Sequence, residues 1–90
     1  MNIVHCKKSP YQIYCGRPSI YGNPYVIGKH GSRAEVISMY QEHFNIRIKE
    51  DADFKQEVLK LKDKTCACWC DFPKQDCHLR IFKEWLEKNI

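Results

Sequence analysis

Residues 66–70 read Cys66-Ala67-Cys68-Trp69-Cys70, and Cys77-His78 follows within the next eight positions. Lys64 to Trp69 has the length and the threonine and tryptophan content of a β-strand. Its middle, Thr65-Cys66-Ala67-Cys68-Trp69, shows no polar–apolar alternation, which suits a parallel strand covered on both faces better than a half-exposed one. In open α/β sheets ligands gather beyond the carboxyl ends of the strands. Cys70 sits at that end.

Working outward, Ile3 to Cys6 and Tyr11 to Cys15 are short apolar or aromatic stretches that fit strands, with Lys7-Lys8-Ser9-Pro10 as a turn between them. Gly16 to Gly28 holds three of the four glycines, and Gly22-Asn23-Pro24 is strong turn material, so this segment reads as an ordered loop. Ser32-Arg33-Ala34-Glu35 has the spacing of a capping box, and Val36, Ile37, Tyr40 and Phe44 then recur at helical intervals to about Ile48. Asp51 or Asp53 caps a shorter helix with a stripe of Phe54, Val58, Leu59 and Leu61. Asp76 is the expected cap of a last helix whose apolar face is Leu79, Phe82, Trp85 and Leu86. The order β, β, loop, α, α, β, α predicts a single α/β domain over residues 1–90, in two or three layers, with a short, mainly parallel sheet and about three helices.

Ninety residues support one core, and 43% hydrophobic with 29% charged residues is an ordinary globular composition, which excludes a disordered chain. A net charge of +4 favours phosphate-bearing partners without requiring them. No apolar run approaches the roughly 18 residues that cross a bilayer, and the first residues lack the pattern of a secretion signal, so the expectation is a cytoplasmic protein with no membrane partner. The six cysteines are then read first as thiols, metal ligands or small buried hydrophobes rather than disulfides.

Three readings of the cluster stay open. If residues 66–70 are extended, Cys66, Cys68 and Cys70 share a face at steps of about 6.6 Å, too far apart to act together around one ion. The metal set, if there is one, is Cys68 or Cys70 with Cys77 and His78; its spacing is not a common zinc pattern, and no cofactor is predicted, zinc being the alternative. A thiol site asks for less: Cys77 at a helix N-terminus, or Cys70 meeting His78 across a bend through Asp71-Phe72-Pro73, would be a nucleophile beside a base. The third reading makes Cys6, Cys15, Cys66 and Cys68 core residues.

The loop has its own chemistry. Gly16 and Gly22 allow backbone to approach a ligand, Arg17 offers a planar fork for phosphate or carboxylate, Ser19 a hydroxyl, and Asn23 an amide. The same residues also suit a tight loop with no ligand.

Taken together, "GRPSIYGNPY" (Gly16 to Tyr25), "SRAEVISMY" and "CWC…P…CH" resemble a family of small uncharacterised proteins of bacteriophages and bacteria, a domain-of-unknown-function family (DUF4326-like). The resemblance covers nearly the whole chain. Its fixed positions fall here on Gly16, Arg17, Pro18, Ser19, Gly22, Asn23 and Pro24, on Arg33 and Tyr40, and on Cys68, Trp69, Cys70, Pro73, Cys77 and His78. The link from Cys70 to Cys77 is longer than the family's, and Leu79-Arg80 stands where the family has a small residue and an acid. The family implies no activity.

The leading expectation is a domain that binds a phosphorylated nucleotide or sugar, or a nucleic-acid end, with Arg17 and Arg33 on the anion, Cys70 or Cys77 as nucleophile and His78 as base. The alternatives are a nucleic-acid module built on Tyr11, Tyr14, Tyr21 and Tyr25 interleaved with Lys7, Lys8, Arg17 and Lys29, and a metal-stabilised protein that docks on a host protein. Trp69, opposite in direction to its cysteine neighbours on an extended strand, is expected to pack on Phe82, Trp85 and Leu86 of the last helix.

Overall fold

The computed structural model describes residues 1–17, 19–70 and 74–89. Pro18 and the expected bend through Asp71-Phe72-Pro73 lie outside the described residues. Strands β1 (Asn2–His5) and β2 (Ile13–Tyr14) precede helices α1 (Arg33–Glu50) and α2 (Ala52–Leu59), and β3 (Thr65–Cys68) and α3 (Leu79–Lys88) complete the α/β domain. The three strands form one parallel sheet in the order β1-β3-β2.

β3 is central because it alone is apolar throughout. Ile3 of β1 and Ile13 of β2 both stand beside Cys66, and Cys66, Ala67 and Cys68 are all buried. Cys66 and Cys68 face one side of the sheet and Ala67 the other, so both sides are covered, as the missing alternation foretold. β2 is shorter than the stretch from Tyr11 to Cys15, since Tyr11 is exposed. Flanking bonds from Gln12 N to Thr65 O and from Cys15 N to Ala67 O continue the pairing on either side.

α1 starts where its capping box puts it. Ser32 Oγ accepts from Glu35 N, and the Glu35 carboxylate accepts from Ser32 N. Val36, Ile37, Tyr40, Phe44 and Ile48 then bury one stripe of the helix. Asp51 ends α1 and caps α2 through Phe54 N. The start of α3 departs from expectation: its N-cap is His78, with no side-chain cap. Arg80 holds both Asp76 oxygens at 2.6 and 3.0 Å, and Asp76 Oδ1 also accepts from Cys77 N. The carboxylate therefore fixes the lead-in to the helix instead of capping it.

Phe82 joins the helices in the core. Its ring centroid lies 4.9 Å from Phe44 of α1, 6.2 Å from Phe54 of α2, and 6.0 Å from both Tyr21 and Tyr40. Such edge-to-face pairs add about 0.5–1.5 kcal/mol each to the burial itself.

Trp69 does not pack on α3. The strand ends at Cys68, so the alternation that would have turned the ring inward stops one residue short, and Leu79, Ile81, Phe82 and Leu86 already fill the buried face of the helix. The indole is 58% exposed; it donates Nε1–H to the Tyr14 hydroxyl at 2.7 Å, meets the His5 ring edge-on at 5.9 Å and carries Lys7 Nζ 5.4 Å from its centroid. Among the described residues no helix is long and apolar enough to cross a membrane.

Candidate functional site

Beyond the carboxyl ends of β2 and β3 lies an open pocket of about 280 Å³, and Gly16, Arg17, Asn23, Arg33, Cys70 and His78 are on its wall. Each arrives by a different route. Arg33 is the first residue of α1 and is placed by the Ser32 cap. Arg17 follows β2, on a loop that packs tightly at Gly22: a Cβ there would stand 3.0 Å from Arg17 N and 3.1 Å from its Cα, so the backbone would have to give. Gly16 lies under the Tyr14 ring, which a Cβ would strike. Tyr14 in turn donates its hydroxyl to Arg17 O.

Asn23 is on the pocket wall, but its amide serves the fold. Its Oδ1 accepts from Tyr25 N at 2.9 Å and its Nδ2 donates to Val36 O at 3.1 Å, which ties the loop to α1. Ser19 and Gly22 stand behind the wall; Ser19 Oγ is buried with no hydrogen-bond partner among the described residues. Arg17 is exposed and makes no side-chain hydrogen bond or ion pair among the described residues. Arg33 is half-buried and donates Nη1–H to Cys70 Sγ at 3.3 Å and to Asp76 O at 3.2 Å.

The sulfur atoms gather on one side. The Sγ atoms of Cys68, Cys70 and Cys77 all lie within 4.8 Å of one another, with Cys68 and Cys77 3.0 Å apart. Cys66 is not among them, as the strand spacing required. Cys70 comes this close to Cys68 because β3 has already ended. Hydrogen bonds from Cys68 and Cys77, and then the Arg33 guanidinium, pull the Cys70 thiol far below its usual range. The same interactions and burial push Cys77 up, and the hydrogen bond with Cys70 raises Cys68. Of the three thiols, Cys70 is the one these contacts favour as thiolate.

Cys77 is fully buried two residues before α3; the Leu79 N–H at the helix start favours its thiolate, but burial and the neighbouring sulfurs outweigh it, and its carbonyl accepts from Arg80 N. His78 is buried on the pocket floor. Its Nε2 lies 2.9 Å from the Cys15 carbonyl, which can only accept, so Nε2 carries the proton and Nδ1 holds a lone pair 3.8 Å from Cys77 Sγ. Burial first, and the nearby positive charge of Arg17 to a lesser degree, hold this imidazole below its usual pKa and in its neutral form.

The structure therefore brings together Arg17, Arg33, Cys68, Cys70 and His78 at one pocket, with Cys77 just beneath. Sequence reasoning missed Trp69, which lines the pocket, and the apolar wall of Val26 and Ile27. A tryptophan between two cysteines at a strand's carboxyl end was a usable signal for the first. Of the four tyrosines of the nucleic-acid reading, Tyr21 is buried against Phe82 and donates to the Glu57 carbonyl, Tyr25 lines the pocket, and Tyr11 lies 6.4 Å from Tyr14, which accepts from Trp69. The core reading holds for Cys15 and Cys66, which are fully buried, and less fully for Cys6.

Residues 2–88 match the model of a family described as a domain of unknown function (DUF4326). Over 55 residues the chain is 36% identical to the uncharacterized protein R718 of Acanthamoeba polyphaga mimivirus, an alignment that covers 61% of this chain and 38% of that protein. The chain thus spans well under half the length of the curated relative it matches. No solved structure matches.

Proposed function

The chain belongs to the DUF4326 family, and we propose that this member binds a small phosphorylated molecule, a nucleotide or a sugar phosphate, in the pocket between Arg17 and Arg33. The observation that carries the reading is that two arginines from separate elements open onto one pocket at the carboxyl ends of a parallel sheet, with an exposed indole on its rim. Arginine presents its donors in a fork that fits phosphate oxygens two at a time. Arg17 is uncommitted among the described residues, and Arg33 has Nε and Nη2 to offer beyond the bonds made by Nη1. Trp69 supplies a flat apolar surface for a base or a sugar ring.

The reading stops at binding. Cys77 is fully buried, and the half-buried Cys70, on the pocket wall 3.3 Å from Arg33 Nη1, is not needed to hold the ligand.

Thermal unfolding with inorganic phosphate, ribose 5-phosphate, adenosine monophosphate and adenosine tests it. The phosphorylated compounds should raise Tm and adenosine should not; a ligand present at a hundredfold excess over its Kd stabilises by about 2.7 kcal/mol. Arg17→Ala, at an exposed position, should leave the ligand-free Tm within about a degree and abolish the response. A protein indifferent to every phosphorylated compound at millimolar concentration, or an Arg17→Ala variant that responds like the wild type, contradicts the proposal.

A further inference from the structure

We infer that Cys68, Cys70 and Cys77 form a thiolate site for a zinc-class divalent ion, and that Nδ1 of His78, which is 3.8 Å from Cys77 Sγ but not within 4.8 Å of all three sulfurs, closes in as the fourth ligand. An ion that accepts sulfur bonds of about 2.3 Å in a tetrahedron holds its sulfurs about 3.8 Å apart. The three Sγ atoms are close enough for it, with Cys68 and Cys77 3.0 Å apart and every pair within 4.8 Å. Even the short pair stands well outside the roughly 2.05 Å of a disulfide bond.

His78 is oriented as a ligand is. A metal-bound imidazole donates its other ring N–H to a carbonyl or carboxylate, which fixes the tautomer and aims the lone pair. Here Nε2–H meets the Cys15 carbonyl at 2.9 Å, which leaves Nδ1 bare and 3.8 Å from Cys77 Sγ. The ring stacks on Tyr40 at 5.5 Å with the planes 19° apart, which keeps it on the cysteine side of the core. Sulfur-rich donor sets with one imidazole select zinc over the oxygen-seeking cations.

Charge also balances. Each thiol that binds gives its proton to solvent. Three thiolates, a neutral imidazole and a divalent ion then sum to one negative charge, and the Arg33 guanidinium already sits 3.3 Å from Cys70 Sγ to offset it. The ion would join the end of β3 to the start of α3, an added cross-link in a domain small enough to gain from one. This site rests on the sulfur and imidazole geometry; it shares Arg33 and the Cys68, Cys70 and His78 wall with the pocket, but metal uptake is measured without a pocket ligand.

The test is elemental analysis of reduced protein purified without chelator, followed by replacement with cobalt(II). We expect close to one zinc per chain, a cobalt spectrum with intense tetrahedral bands and thiolate charge transfer, and X-ray absorption that fits three sulfurs near 2.3 Å and one nitrogen near 2.0–2.1 Å. His78→Gln should weaken cobalt binding at least tenfold, and Cys77→Ser should remove the three-thiolate spectrum. Should Cys77→Ser fail to fold, the wild-type cobalt spectrum and absorption data decide alone. Reduced protein that takes up no cobalt, a fit with two sulfurs or with oxygen in place of the nitrogen, or a Cys68–Cys77 disulfide in freshly purified protein overturns the inference.

Discussion

At Trp69 a single residue separates two roles for the same side chain. One further position of strand would have sent the indole inward; because β3 ends at Cys68, the ring lies on the pocket rim, held by Tyr14, His5 and Lys7. Replacing it with alanine should therefore cost no more than about 1 kcal/mol of stability, the worth of one hydrogen bond and some partly exposed area. Phe82→Ala is the contrasting substitution: the ring is fully buried among five other aromatic rings, and its loss should cost about 3–5 kcal/mol. Urea unfolding of both variants checks the pair. A Trp69→Ala protein as damaged as Phe82→Ala would show the indole to be part of the core. Residue identity was enough to nominate Arg17, Arg33, Cys70 and His78, because few side chains carry such chemistry. It was not enough to place Trp69, whose direction depends on where the strand stops.

The elements were legible to the extent that their signals are local. The Ser32–Glu35 box is written in four residues, and α1 begins there. Asp51 likewise caps α2 through Phe54 N. The start of α3 was not legible, since it turns on Arg80 reaching back to Asp76, a tertiary choice among several acceptable partners for that carboxylate. The brevity of β2 was hidden for the same kind of reason: two residues pair because β3 lies alongside, whatever their own propensity. Ser32→Ala should lower stability by about 1 kcal/mol. The Glu35 carboxyl is held below its usual pKa by hydrogen bonds from the Ser32 backbone and hydroxyl. A carboxyl lowered in the folded state contributes stability that is complete above its unfolded pKa, near 4.3, and is lost as pH falls through the folded value. Glu35→Gln should accordingly lower stability at pH 7 and flatten the acid limb of a pH–stability curve, while changing little below the folded pKa of the carboxyl. An unchanged acid limb would mean that the box contributes nothing through this charge.

For the whole molecule, one sequence feature had the longest reach. An unbroken apolar stretch at residues 65–69 predicted a covered parallel strand, and a covered parallel strand predicts a ligand site at its carboxyl end. The pocket is there, between the β2 loop and the first turn of α1. The sequence nominated Arg17 and Arg33 for one anion but did not show the means: they are 16 positions apart, and the loop packed at Gly22 and pinned by Asn23 to Val36 brings them to one cavity. The most direct test of an anion held between them is a titration of ¹⁵N-labelled protein with adenosine monophosphate, following the Nε–H signals of Arg17 and Arg33 and the two indole N–H signals. The account predicts that Arg17, Arg33 and Trp69 shift together along one saturable isotherm while Trp85, packed on Phe44 away from the pocket, stays in place. Shifts confined to surface lysines, or Arg17 and Arg33 unmoved at saturation, would contradict it.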